Sequence, residues 1–381
     1  MILRSDFLAG LGAGTVAATS NFPSITPSVT IGVCGPFSGN AKRIGERLEQ
    51  GVQGALTQSN ELAGTFARTF TLRTFDDQNT VAEALLQASF ATGDSSIIAM
   101  IGHVSSEATL QAISTYGQAG MPLVVPYNTD DRITQTQYRN VFRLPTKDTT
   151  EGQLFARTVL AQYKPKLAHV FVQDAEYGAD VAAGFLGVCS ANKADANYQQ
   201  FSYDKPDFGA IVDKALAKTP DYIFLAGTVG DMGPIVGVLR AKGYTGPIGA
   251  SQGFFDPGVS SLGADANGML VSTSMPYLAV APSTVRARQE FEQHNGTMDP
   301  LAAFGFAAAQ LIISAVNRVN AAGRNSIVTA LAQGVPIDTM VGTYSFTPFG
   351  DAVQPQIYYY TIKDGKFSYA HQAHPSGFSL K

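Results

Sequence analysis

Charged residues are scarce in this 381-residue chain: Asp, Glu, Lys and Arg make up 15% of it, with 26 basic against 30 acidic side chains and a net charge of −4. No run of Lys or Arg occurs, so the electrostatic footprint of a nucleic-acid binder is missing. After the N-terminus no uninterrupted apolar stretch approaches the roughly 18 residues of a membrane span, and the mature chain reads as soluble. The only cysteines are Cys34 and Cys189. They fall in separate halves without any metal-ligand spacing, so both are expected as buried free thiols and neither a metal nor a cofactor is expected. No Walker A sequence is present, and the run from Gly227 to Gly233 lacks the G-x-G-x-x-G spacing of a nucleotide site. Internal repeats and low-complexity segments are absent as well.

What is present suits two packed domains, since 45% of the residues are hydrophobic over a length that exceeds one ordinary core. The first twenty residues, MILRSDFLAGLGAGTVAATS, combine Arg4, an apolar core over 7–16 and a small-residue site at Val16-Ala17-Ala18. They read as an export signal, with no cysteine placed to take a lipid. From Val29 strand and helix patterns alternate: VTIGVC, a helix over 45–59, FTLRTFDD, a helix over 81–92. The pattern restarts near Lys147 with a helix over 151–163, then LAHVFV, NYQQFSY, DYIFLAG, PIGAS and GMLVSTS. Two or three long helices over 283–332 precede a short segment over 343–346 and the closing strands QIYYYTI and KFSYA. This predicts an α/β protein of two doubly wound, Rossmann-like lobes joined by a three-strand hinge. The expected lobes are 29–146 with 277–343, and 147–276 with 344–381, the chain crossing near Thr146, Pro276 and Thr343.

The segment 97–128, IIAMIGHVSSEATLQAISTYGQAGMPLVVPYN, carries most information about a site. An apolar strand ends at Gly102, Ser105-Ser106-Glu107 occupies a helix N-cap and first turn, and the next strand ends in Pro126-Tyr127-Asn128-Thr129. If the two strands are parallel neighbours, unpaired backbone N–H groups and a hydroxyl converge where open α/β sheets bind ligands. A carboxylate suits that point, the helix dipole alone contributing about 0.3–1 kcal/mol at an exposed site.

Three other features admit competing chemistry. Gly249-Ala250-Ser251-Gln252-Gly253 matches the G-x-S-x-G turn of serine hydrolases, with Asp299, Asp338, His371 and His374 downstream. Phe254 to Gly258 makes a poor start for the helix that turn requires. His103 is expected as a packed, hydrogen-bonded histidine and not as a base for Ser105 or Ser106. Asp76 and Asp77 are expected as a capped, solvated strand end.

The blocks VTIGVCGPFSGNAKRIGERLEQGVQGAL, IIAMIGHVSSEATLQAISTYGQAGMPLVVPYNTDDRIT, VFVQDAEYGADVAAGF, DYIFLAGTVGDMGPIVGVLRAKGY and PIGASQGFF together resemble the branched-chain amino-acid-binding proteins. These are type I periplasmic substrate-binding proteins of ABC importers, and the likeness runs from about residue 29 to about 368. It implies a monomeric, non-enzymatic periplasmic protein that captures a small molecule and delivers it to a membrane permease. Position by position, the family's carboxylate site falls on Ser106 and Thr129, completed by the backbone at Ser105, Tyr127 and Asn128. The closing tyrosine of the second lobe falls on Tyr177. Two aromatic positions fall instead on Thr228 and Ile44, and the carboxylate that meets an α-ammonium falls on Gln252. The resemblance thus keeps the carboxylate end of the ligand and changes the other, which implies a carboxylate-bearing or amide-like ligand. A sensor of the same fold and a hydrolase using Ser251 are the alternatives.

Overall fold

The computed structural model describes residues 28–63, 68–202, 206–278 and 282–373; the export signal expected at 1–20 lies outside the described residues. The chain opens with β1 (Ser28–Gly35), α1 (Lys42–Leu62), β2 (Thr69–Asp76), α2 (Val81–Gly93), β3 (Ile97–Ile101), α3 (Ser106–Gln118), β4 (Leu123–Val125) and β5 (Val141–Arg143). These strands form a parallel sheet in the order β2-β1-β3-β4-β5. The chain then crosses to α4 (Asp148–Gln162), β6 (Ala168–Gln173), α5 (Glu176–Ala191), β7 (Ala196–Phe201), α6 (Phe208–Leu216), β8 (Tyr222–Ala226), α7 (Val229–Ala241), β9 (Ile248–Ala250) and β10 (Leu270–Thr273). It returns through α8 (Pro282–Asn295), α9 (Pro300–Val319), α10 (Arg324–Ala332) and the hairpin β11 (Ile337–Thr339) with β12 (Gly342–Tyr344). Finally β13 (Ile357–Lys363) and β14 (Lys366–Ala373) join the second sheet, whose order is β14-β13-β10-β9-β8-β6-β7. Strand β13 runs antiparallel to both β10 and β14, and the other pairs of this sheet are parallel.

The inner strands of each sheet are buried on both faces, which is why they read as nearly continuous apolar runs. In the first lobe Ile31, Val33, Ile101 and Val124 pack with α1, α9 and α10, while Cys34, Met100, Leu123 and Val125 pack with α2 and α3. In the second, Val170, Val172 and Phe224 face α4 and α5, and Phe171, Ile223 and Leu225 face α6 and α7. Caps legible in the sequence set the helix ends: Thr80 accepts from Glu83 N before α2, and Asp299 from Ala302 N before α9, which has Pro300 in its first turn. The α9 helix is long and apolar enough to cross a membrane, yet most of its side chains are buried in the first-lobe core. Glycines let α4 and α5 touch. A Cβ on Gly152 would lie 1.9 Å from Val181 O, and one on Gly184 2.0 Å from Thr149 O.

The third crossing falls later than the expected Thr343. Tyr344 and Phe346 are in the first-lobe core, Phe346 lies edge-on to Phe142 at 5.2 Å, and Asp351 pairs with Arg143, so the chain leaves this lobe only just before β13. The cause is β5, a strand of three residues too short to show alternation, which binds the segment around Asp351 along its free edge.

Candidate functional site

At the end of β3 the backbone of Gly102 has φ +137°, and a Cβ there would lie 2.1 Å from Cys34 O, so only glycine fits this turn. Ser105 is the N-cap of α3, its hydroxyl accepting from Ala108 N at 3.4 Å. Ser106 follows as the first helical residue, half-buried, and its hydroxyl has no protein partner among the described residues. Strand β4 is the parallel neighbour of β3, as the site requires. Beyond it, Asn128 is buried and fastens that end to α3: its Oδ1 accepts from Thr109 Oγ1 at 2.9 Å and its Nδ2 donates to Val104 O at 2.6 Å. Tyr127 donates its hydroxyl to Leu301 O at 2.7 Å and packs edge-on against Phe304. The side chains of Ser105, Tyr127 and Asn128 are therefore occupied in holding the fold. Thr129 turns its hydroxyl to the Asp148 carboxyl.

In the second lobe, the Tyr177 hydroxyl accepts from Gly253 N at 2.8 Å. Gln252 N donates to Glu151 Oε1 at 2.6 Å, and Gln252 Oε1 accepts from Ser274 N at 2.6 Å and Thr273 Oγ1 at 3.4 Å. Because Ser274 N can only donate, the amide orientation of Gln252 is fixed, and its Nε2 is left without a protein partner among the described residues. Thr228 abuts Gly253, its N held by Gln173 Oε1 at 2.8 Å and its hydroxyl donating to Asp231 Oδ2 at 2.6 Å. Thr129, Tyr177, Gln252 and Thr228 are thus drawn together around the start of α4. Ser106 and Asn128 form a second group at α3. Ile44, half-buried on the first turn of α1, shares no hydrogen bond with either.

Two acids at the centre of this arrangement were not singled out from the sequence. Glu151 is 1% exposed and accepts from Gln252 N and from Ser272 Oγ at 2.6 Å each, with the Tyr177 hydroxyl beside it. Burial raises its pKa from 4.5 to about 7 against those hydrogen bonds. Asp148 is 3% exposed, its Oδ1 has no partner, and desolvation holds it well towards its neutral form. In sequence both look like ordinary first-turn acids that favour a helix dipole, and nothing local reveals their burial.

A pH effect follows from Glu151. Below about pH 4.5 folded and unfolded chains both hold the proton; from there to about pH 7 only the folded chain keeps it, so stability falls as pH rises through that window. The loss is on the order of 3 kcal/mol. Melting curves of Glu151→Gln against the native protein are expected to show the variant gaining several degrees at about pH 8 relative to about pH 5; equal differences at both would refute this.

The remaining motifs resolve into packing. Ser251 is fully buried, its hydroxyl both donating to Gly227 O and accepting from Gly227 N at 3.1 Å, and a short 3-10 turn follows instead of a helix. It lacks the exposed strand-turn-helix setting of a nucleophile. His103 is buried as expected, Nδ1 lying 2.7 Å from Asp77 Oδ2 and Nε2 3.1 Å from the Tyr116 hydroxyl. Asp77 is corrected: it is no solvated strand end but 1% exposed, holding His103 and accepting from Asn79 N at 2.9 Å. Asp76 plays the expected capping part, accepting from Phe37 N and Gln78 N. Cys34 and Cys189 are free and buried. Cys34, Asp77 and His103 bring their donor atoms within 4.8 Å of one another, and the hydrogen bonds just given already engage the ring and the carboxylate.

Residues 28–366 match the model of the periplasmic binding protein family. The chain belongs to that family. This periplasmic binding protein is 24% identical over 360 residues to a Leu/Ile/Val-binding protein homolog 3 from Brucella melitensis, covering 93% of this chain and 97% of that one. Its fold is that of a substrate-binding protein from Desulfitobacterium hafniense in complex with Leu, at TM-score 0.77 and 24% identity over 90% of this chain and 100% of the other. It is also that of a solute-binding protein from R. palustris in complex with benzoate, at TM-score 0.71 and 19% identity over 91% and 97%. Both are type I binding-protein folds of two α/β lobes, the architecture expected from the sequence.

Proposed function

We propose that this periplasmic binding protein is the exported, monomeric solute-binding component of an ABC importer, and that it captures a small carboxylate-bearing ligand between its lobes for a membrane permease. The observation that carries the reading is the open end of α3, beside the parallel neighbour β4, where Ser105 caps the N–H of Ala108 but the Ser106 hydroxyl and the N–H groups of Ser106 and Glu107 have no protein acceptor among the described residues. Leu and benzoate, held by the two fold relatives, share a carboxylate and an apolar group, and only Leu carries an ammonium. The buried, doubly bonded Ser251 supports a binding role over hydrolysis.

At the far end of the ligand, Gln252 offers an N–H donor where an α-ammonium would need an acceptor. Asp231 is engaged by Gln173 and Thr228, and Glu151 by Gln252, Ser272 and Tyr177. Asp148 retains an open oxygen but is held towards its neutral form. A hydroxyl, carbonyl or amide oxygen on the ligand fits this wall better than a cation, whose unpaired burial costs several kcal/mol. Thermal-shift screening of amino acids, aliphatic and aromatic acids, amides and urea tests the class, because a ligand of the native state raises the melting temperature. Calorimetry is then expected to find leucine, isoleucine and valine weak on the native protein and at least tenfold tighter on Gln252→Glu. Tight native binding with no gain in the variant would restore an aliphatic amino acid as ligand.

A further inference from the structure

Arg132 lies in the turn after β4, on the first lobe, and grips Asp130 twice: Nε to Oδ1 at 3.0 Å and Nη2 to Oδ2 at 2.6 Å. The same Nη2 stands 2.7 Å from Oε2 of Glu176, the first residue of α5 in the second lobe. One turn along α5, Asp180 faces the same cluster; burial and the charges of Asp131, Asp130 and Glu176 raise its pKa, and Arg132 opposes them. Asp131 is held at the first crossing by Thr149 N at 3.0 Å and Lys147 at 3.3 Å. The bonds from Thr146 to Ser274 and Gln356 also lie on crossing segments. Among the described residues, Arg132 with Glu176 is the ion pair that joins the lobes away from those segments.

We infer that Arg132 is a cross-cleft latch, the cation that holds the acidic rims of the two lobes together and sets the balance between shut and open forms. The inference rests on the lobes moving apart, as the proposed function requires, and not on the identity of the ligand. The pair is about half exposed, with side chains 51% and 48% accessible, so taken alone it shifts that balance by no more than about fivefold. The arrangement around it is asymmetric. Losing the Glu176 charge leaves Arg132 bonded to Asp130 and close to Asp180. Losing Arg132 leaves Asp130 and Asp131 facing Glu176 and Asp180 across the cleft, with the two other nearby cations already engaged, Lys147 against Asp131 and Arg143 against Asp351. Attraction between the rims then becomes repulsion.

The test reads lobe separation in the ligand-free full chain by electron-electron distance measurement between nitroxides on Ala82→Cys and Lys218→Cys, both exposed and one on each lobe; the native cysteines are buried. Glu176→Gln should raise the ratio of long to short distances about two- to fivefold, and Arg132→Gln should raise it further. Salt discriminates more sharply. Going from about 50 mM to about 1 M NaCl should lengthen the native distances, by screening an attraction, and shorten those of Arg132→Gln, by screening a repulsion. Distributions that ignore both substitutions and salt overturn the latch. Since no ligand is used, that outcome leaves the proposed ligand class standing, and a wrong ligand class leaves the latch standing.

Discussion

Asp351→Ala is expected to cost about 3–5 kcal/mol of folding stability, because it strands a fully buried guanidinium. Arg143 is 0% exposed and donates from Nε and Nη2 to Asp351 Oδ1 at 3.0 and 2.5 Å. Its other bonds go to neutral acceptors, the carbonyls of Thr129 and Asp130 and the Thr134 hydroxyl at 2.7 Å. Without Asp351 the charge loses its directly bonded carboxylate and keeps only dipoles in contact, with Asp130 acting on it from further off. Urea unfolding monitors the loss, and the pair replacement Arg143→Met with Asp351→Leu should be milder than Asp351→Ala, since no buried charge is left over. A cost below about 1 kcal/mol for Asp351→Ala would show that water reaches the guanidinium. The same arginine carries the backbone of Thr129, so the variant is also expected to bind ligand less tightly.

Ser106→Ala and Thr129→Val are each expected to weaken ligand binding by about 1.5–3 kcal/mol, the worth of a hydrogen bond to a charged group. Their effects on folding should differ. Ser106 has no protein partner among the described residues, so its alanine variant should melt with the native protein, whereas Thr129→Val removes the hydroxyl beside the buried Asp148 and should melt lower. Calorimetry with the best ligand from the screen, alongside melting curves, separates the two. Unchanged affinity in both variants would mean that the end of α3 is purely structural.

The α3 end was legible because each of its signals is local. Gly102 breaks a strand, Ser105 caps, Ser106 is left over, and a parallel neighbour follows within one helix length. The doubly wound order was legible for a similar reason, since strands buried on both faces write themselves as short apolar runs between amphipathic helices. Glu151 and Asp148 were not, because burial of a first-turn acid is decided by Ser272, Gln252 and Tyr177, which lie far away in sequence. Asp77 was misjudged for the same cause, its partner His103 being 26 residues on. The late third crossing turned on β5, whose three residues carry no period.

Asn128 has a kinetic consequence. Its clamps on Thr109 and Val104 hold the α3 end and the β4 end in register without help from a ligand. On the proposed function, the first lobe then meets an incoming carboxylate with a finished half-site, and little backbone or side-chain freedom is lost on landing. Capture should then proceed at a rate set by diffusion to an exposed surface, and the second lobe should govern how long the captured molecule stays.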